Sequence, residues 1–433
     1  MIIIKLQELL GLNLGSRVRS NFIAAFRANV ISQTIPLLIS PFMTRLYGPA
    51  DYGSFTLVAS VISIICSFSI LRLDWLLPNT SDENELESLF VFGFIFSCLL
   101  SILLFLICIC DPFSLLSMVF PGVGVKYFYF APAIVLFTSI SNLFTGVYIK
   151  RGQLKDLSSS KIHNSFVQPS LNLLCGFFNA GAWGLLFSSM IGGMFFVISL
   201  ARKNLLFLSH LRKVKSSNIK ITFHRFQVDA FWSSLVSIIN SLGTLTTPVL
   251  MSVYFSTVEL GFYSLANRLA LAPISSITSS IAQSFWAESA LLVKTNPREL
   301  KRVYLKYTSR LAMIALVLVT LLLFAARFIG LIFGSRWNSA GNILVSILPQ
   351  VTGQITFSPL SHLAVHGKQR WQFYWDLVRL LGVFFIIIKL SSMNVPLVQT
   401  LFYSSFFVLL MYLIVFCLNL ASLKNAITDF YEK

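Results

Sequence analysis

Apolar runs of about 20 residues recur along this whole chain, and a run of that length is what an α-helix needs to cross a bilayer. Windows of this kind fall at 21–46, 53–71, 88–110, 128–149, 163–180, 182–201, 228–250, 261–285, 307–331, 341–363, 371–389 and 396–420. Composition agrees: 56% of the 433 residues are hydrophobic and 11% are charged, against about a quarter charged in a soluble domain. The expected fold is therefore an all-α polytopic membrane protein with about 12 transmembrane helices. What remains between the windows is too short for a separate soluble domain. A soluble enzyme, a nucleic-acid-binding module and a receptor with a large ectodomain are all excluded.

The formal charge of +17 would suggest nucleic acid in a soluble protein, but its placement assigns it to membrane topology. With the N-terminus cytoplasmic, the inner segments hold 25 of the 33 Lys and Arg residues, Arg72 among them. The outer segments hold only Arg45, Lys126, Arg327, Arg336 and Lys389, while Arg27, Arg268 and Arg379 fall within spans. This is the positive-inside bias, and it puts both termini in the cytoplasm. Met1–Leu14 lacks a cleavage site and reads as an interfacial helix. The six cysteines show no metal or disulfide spacing, and His163, His362 and His366 receive no role.

The longest basic loop, Arg202 to Arg225, lies near the middle of the chain. It suggests a six-helix lobe at 1–208, a basic cytoplasmic linker at 209–224 and a second six-helix lobe at 225–433. Asp51-Tyr52-Gly53-Ser54-Phe55 opens the second span and Glu259-Leu260-Gly261-Phe262-Tyr263 opens the eighth, an acid-x-Gly-x-aromatic pattern repeated at an offset of 208 positions (259 minus 51). A parallel duplication of this kind is typical of transporters that rock two halves about a central cavity.

A helix facing such a cavity should carry polar groups along one stripe, whereas one surrounded by lipid can be apolar throughout. The third, ninth and twelfth windows are almost uniformly apolar. The second aligns Tyr52, Thr56, Ser60, Ser63 and Ser67; the seventh aligns Ser233, Ser237, Asn240, Thr244 and Thr247; the eighth carries Ser264, Arg268, Ser275, Ser279 and Gln283 beside Asn267; the tenth repeats Asn342, Ser346, Gln350, Gln354 and Ser358. In the first, Arg27 and Arg45 are 18 residues apart, about five turns, with Thr34 between them. The same stripes suit interhelical packing, which small hydroxyl residues favour in membranes. Two arginines tip the balance toward a wet face for the first, second, seventh and eighth helices, because a guanidinium in the bilayer needs a partner or water. Arg379 has Asp376 three residues earlier and reads as a self-neutralised pair, as does Asp229 with Arg225, while Asp74 and Glu288 read as solvated. The cationic surplus implies an anionic ligand, with phosphate favoured by the guanidinium fork. Tyr47, Tyr52, Tyr263 and Trp286 are either sugar-stacking or interfacial aromatics.

Thr44-Arg45-Leu46-Tyr47-Gly48-Pro49-Ala50-Asp51-Tyr52-Gly53 resembles the R-L-x-G-P-x-x-Y/F-G signature of Wzx-type polysaccharide flippases. Leu260 to Leu269 followed by Pro273, and Phe333-Gly334-Ser335-Arg336-Trp337 with Ala340-Gly341, resemble later landmarks of that family. Its superfamily also holds multidrug and toxic-compound extruders and peptidoglycan lipid flippases. The resemblance implies two six-helix lobes around a cavity lined by the first, second, seventh and eighth helices. The implied substrate is an undecaprenyl-diphosphate-linked oligosaccharide, such as an O-antigen repeat unit, crossing a bacterial inner membrane. It further implies that Arg27 and Arg268, on the helices whose arginines meet the diphosphate in related flippases, do so here.

The expected substrate contacts are thus Arg27, Arg45, Arg268, Asn240, Asn267, Tyr52, Tyr263 and Gln283, with no catalytic residue, metal ligand or cofactor. Coupling to Na⁺ or H⁺ stays open, and the first helix lacks the carboxylate found in many drug extruders. Expected partners are the lipid-linked substrate, membrane lipid and polysaccharide polymerase or assembly proteins, but no nucleic acid. Two rivals remain. A cation-coupled multidrug extruder would need an acidic cavity, and a membrane polymerase or glycosyltransferase would need catalytic acids on an outer loop.

Overall fold

The computed structural model describes residues 16–110, 124–211, 214–361, 363 and 368–431. Among them the chain is helical, without strands. Each expected window is met by a helix: α1 (Ser16–Leu46), α2 (Pro49–Cys66), α3 (Glu83–Cys110), α4 (Ala131–Lys150), α5 (Leu154–Phe177), α6 (Gly181–Arg202), α7 (Ser216–Tyr254), α8 (Thr257–Thr295), α9 (Pro297–Ala326), α10 (Ser339–Thr356), α11 (Gln369–Ser392) and α12 (Leu397–Tyr431). Met1–Leu14, His362 and His366 lie outside the described residues.

Eight of these segments are long and apolar enough to cross a membrane. The other four are α1, α5, α8 and α11, with 31, 24, 39 and 24 residues. They have the length but carry more polar side chains. In α5 these include Lys161, His163, Asn164, Gln168 and Asn172. The apolar expectation for the third, ninth and twelfth windows is matched by outward-facing side chains: Leu99, Ile102 and Phe105 on α3, Met313, Leu316 and Phe324 on α9, and Phe402 and Phe406 on α12 are all exposed. Such surfaces suit hydrocarbon rather than water.

Local chemistry starts and stops these helices. Pro49 occupies the first turn of α2, where its missing N–H costs nothing, and the Asp51 carboxylate accepts the Gly48 N–H at 3.0 Å. The other Asp51 oxygen accepts the Ala182 N–H at 3.2 Å, so one carboxylate caps the starts of both α2 and α6. The α5–α6 turn places Asn179 and Gly181 at φ 53° and 54°, a left-handed region these residue types tolerate. The segment between α2 and α3 is different: Leu71 and Arg72 are both left-handed, at φ 50° and 54°.

Contacts divide the chain into two units, one ending at Gly261 and one starting at Phe262. In the first, α1 packs along α5, α5 on α6, α3 on α4 and α4 on α6. The linker expected at 209–224 lies inside this unit because α7 packs on α2 and α3. A core of Leu86, Leu89, Phe90, Leu143, Phe144, Tyr148 and Phe207 closes one end. Ion pairs ring that end, Arg151 with Glu83 at 2.6 Å, Lys203 with Asp156 at 3.8 Å and Arg225 with Glu85, and His210 Nδ1 stands 3.4 Å from Glu87. Arg225 therefore reaches across to α3 instead of pairing with Asp229 on its own helix, and Asp229 is exposed.

In the second unit α10 packs on α12 and α9, and α11 on α12. Trp337 is fully buried, with the Phe262 ring edge-on at 6.0 Å. Asp376 and Arg379 on α11 form a 3.0 Å pair with both side chains 7% exposed, as the sequence suggested. Gln372 donates to the second Asp376 oxygen at 3.1 Å, and the guanidinium lies 4.7 Å over the Trp375 ring.

Candidate substrate-binding site

The first unit holds Arg27, Arg45, Tyr52 and Asn240; the second holds Tyr263, Asn267, Arg268 and Gln283. Arg27 is exposed on α1 and forms no ion pair with any described residue. Arg45, in the last turn of the same helix, is likewise exposed. Asn240 is exposed on α7, and its backbone carbonyl accepts the Thr244 hydroxyl at 3.1 Å. On α8, Arg268 is half-buried beside Asn267, whose Oδ1 is enclosed without a hydrogen-bond partner. The side chain of Gln283 lies outside the described residues.

The tyrosines behave differently from the expectation. Tyr52 is 3% exposed and Tyr263 is 4% exposed, so neither offers a ring face to a sugar. Tyr47 is equally enclosed, donates its hydroxyl to the Asn172 carbonyl at 2.6 Å, and meets Tyr52 edge-on at 6.4 Å. These aromatics join α1, α2 and α5. Their apolar bodies favour burial once the hydroxyl finds an acceptor, as that of Tyr47 does.

The polar stripes also divide. On α2, Ser60 and Ser67 are buried while Ser63 is exposed. All three donate their hydroxyls to carbonyls of the preceding turn, at 2.6 to 2.7 Å. On α10, Ser346 is buried and donates to Ile343 at 2.7 Å. These are packing surfaces, as small hydroxyl residues permit. The α7 stripe stays accessible, with Ser233, Ser237 and Thr247 half-buried and Asn240 and Thr244 exposed. Arg72, which the sequence places among loop charges, donates from Nη1 to Ser237 Oγ on this stripe at 3.3 Å. Nothing in the residue types around Leu71 signals the backbone turn that brings it there.

A family model for polysaccharide biosynthesis proteins matches residues 42–342. The chain belongs to that family. The matched segment takes in Arg45, Tyr52, Asn240, Asn267 and Arg268, whereas Arg27 lies upstream of it. Among solved structures, an inward-facing multidrug resistance MATE transporter of the MOP superfamily is similar at 15% identity and a TM-score of 0.59, with 98% of each chain covered. An outward-facing multidrug resistance MATE transporter of that superfamily gives 13% identity and 0.54, covering 94% of this chain and 96% of the other. A MOP-superfamily transporter from Pyrococcus furiosus, described by the reversed polarity of its binding pocket, gives 14% and 0.51, covering 94% and 96%. No curated protein matches the chain. This member of the polysaccharide biosynthesis family is a multi-pass membrane protein with the MOP transporter fold.

Proposed function

We propose that this protein is a flippase that carries an undecaprenyl-diphosphate-linked oligosaccharide, an O-antigen-like repeat unit, across the bacterial inner membrane. Two six-helix lobes would alternate access to a central site, with both termini in the cytoplasm. The single observation that carries this reading is the sign of the charge on the helices: Arg27 is exposed on α1 without an ion pair among the described residues. Arg45 is exposed on the same helix and Arg268 is half-buried on α8. A guanidinium that meets water inside a membrane protein suits an anionic cargo, and a diphosphate fits its fork. The exposed amide of Asn240 and the α7 hydroxyls supply neutral hydrogen-bonding groups of the kind a glycan needs.

A drug extruder of the same fold calls for carboxylates facing its cationic cargo. The acid well inside a membrane-expected window, Asp376, is buried and already paired with Arg379. Family membership in polysaccharide biosynthesis favours the flippase. The test is genetic. Arg27→Ala and Arg268→Ala should each abolish surface polysaccharide while membrane levels of the protein hold; normal polysaccharide from both variants, or resistance to cationic drugs conferred by the wild type, would overturn the reading.

A further inference from the structure

Two consecutive non-glycine residues in the left-handed region are strained, because Cβ crowds the following carbonyl. Leu71 and Arg72 hold that conformation at φ 50° and 54°. Neither is a type that visits it readily. The strain has a visible result at Arg72, where the chain leaves the end of α2 and turns into the short helix Leu73–Leu76. Its guanidinium is turned back against α7, to Ser237 at 3.3 Å.

The surroundings hold this guanidinium in place without saturating it. Nε stands 3.7 Å from Asp74 Oδ1, an ion-pair distance too long for a hydrogen bond. The cation lies 5.0 Å over the Trp75 ring, and its side chain is 26% exposed. Of five N–H donors, the Nη1 group alone has a hydrogen-bond acceptor among the described residues. Asp74 Oδ1 is buried and accepts none. A positive, half-open fork therefore adjoins the accessible α7 stripe of Ser233, Ser237 and Asn240.

We propose that Arg72 is a phosphate-binding residue, engaging the diphosphate of the lipid-linked substrate at the end of the α2 and α7 faces. A diphosphate oxygen pair fills the donors that Asp74 leaves open, and Ser237 fixes the direction of the fork. This rests on the flippase reading for the identity of the anion, but it concerns a residue that reading does not use.

The test is direct binding of farnesyl diphosphate, with inorganic pyrophosphate in parallel, to the purified full-length protein in nanodiscs. Arg72→Gly is the informative variant, because glycine adopts the left-handed conformation freely and so offsets part of what the lost contacts to Asp74, Ser237 and Trp75 cost the fold. Its affinity for farnesyl diphosphate should fall about tenfold or more, in a protein that still purifies folded and melts cooperatively. Arg72→Lys should recover part of the loss, since an ammonium keeps the charge but not the fork. Wild-type affinity in Arg72→Gly overturns the proposal, and if Arg27→Ala or Arg268→Ala loses binding in the same experiment, the flippase reading survives that failure. Loss in Arg72→Gly with unchanged Arg27→Ala and Arg268→Ala supports the Arg72 site and removes the two arginines of the broader reading. Pyrophosphate binding as tightly as farnesyl diphosphate would overturn the lipid-linked occupant, and no binding of either compound to wild type would overturn the site altogether.

Discussion

Gly53 lies so close to the backbone of Thr257 that a Cβ there would collide with the Thr257 carbonyl oxygen, and Gly261 stands in the same relation to Pro49. Both exchanges link positions related by the 208-residue offset of the acid-x-Gly-x-aromatic pattern (261 minus 53, 257 minus 49). Each copy of the motif thus packs against the other's helix start. The glycines recur because each must admit a carbonyl from its counterpart.

Gly53→Ala and Gly261→Ala should destabilise the protein by similar amounts, about 1–3 kcal/mol, since the obstructing atoms are backbone and cannot rotate away. Thermal unfolding of the purified protein checks this. A melting temperature unchanged by either substitution would mean that the close approach is not a constraint.

Asp51 and Glu259 occupy equivalent motif positions but do unequal work. Glu259 accepts from Ser256 N–H at 3.0 Å and Ser256 Oγ at 2.8 Å, a local capping box at the start of α8. Asp51 instead ties two helix starts together through Gly48 and Ala182. Asp51→Ala should therefore cost about 1.5–3 kcal/mol, as for hydrogen bonds to a charged acceptor, and Glu259→Ala about 1 kcal/mol or less. Comparing the melting temperatures of the two variants decides the matter; equal losses would deny Asp51 its bridging role.

The helices were legible in the sequence because apolar run length is a one-dimensional property, and a helix fills every expected window. The arginines of α1 were legible too, since charge in an apolar run stands out by itself. Which polar stripes face outward was not. A serine in a membrane helix satisfies its own hydroxyl on the preceding turn, as Ser60 and Ser346 do, so the same spacing serves a wet face and a packed one. Residue type alone points Tyr52 and Tyr263 toward sugar contacts, yet their motif is architectural: it places rings, glycines and Asp51 where helices join. Arg72 was invisible because its position depends on two left-handed residues that no glycine or asparagine announces.

The Asp376–Arg379 pair makes a sharper demand. Removing one partner leaves an uncompensated charge in a dry interior, whereas removing both leaves none. Arg379→Met alone and Asp376→Leu alone should each cost about 3–5 kcal/mol, and the double substitution should cost less than either. A double-mutant cycle on thermal stability measures the coupling. Additive losses would show that the pair contributes no interaction of its own.

Asp74 gives the first unit a pH dependence of stability. Burial raises its pKa above the ordinary 3.8, with Arg72 opposing that shift incompletely. The native protein therefore holds this proton at pH values where the unfolded chain has already lost it. Between the ordinary and the raised pKa the native state binds more protons, so stability falls as pH rises through that window and is flat below and above it. Asp74→Asn removes the titrating group and should flatten this part of the profile, leaving the variant relatively more stable than wild type at neutral pH than at about pH 4. Melting temperatures of the two proteins across that range provide the check. A stability difference, wild type minus Asp74→Asn, that grows with pH in the window would mean that the Arg72 guanidinium outweighs burial, and a difference that stays constant would mean that the two effects cancel.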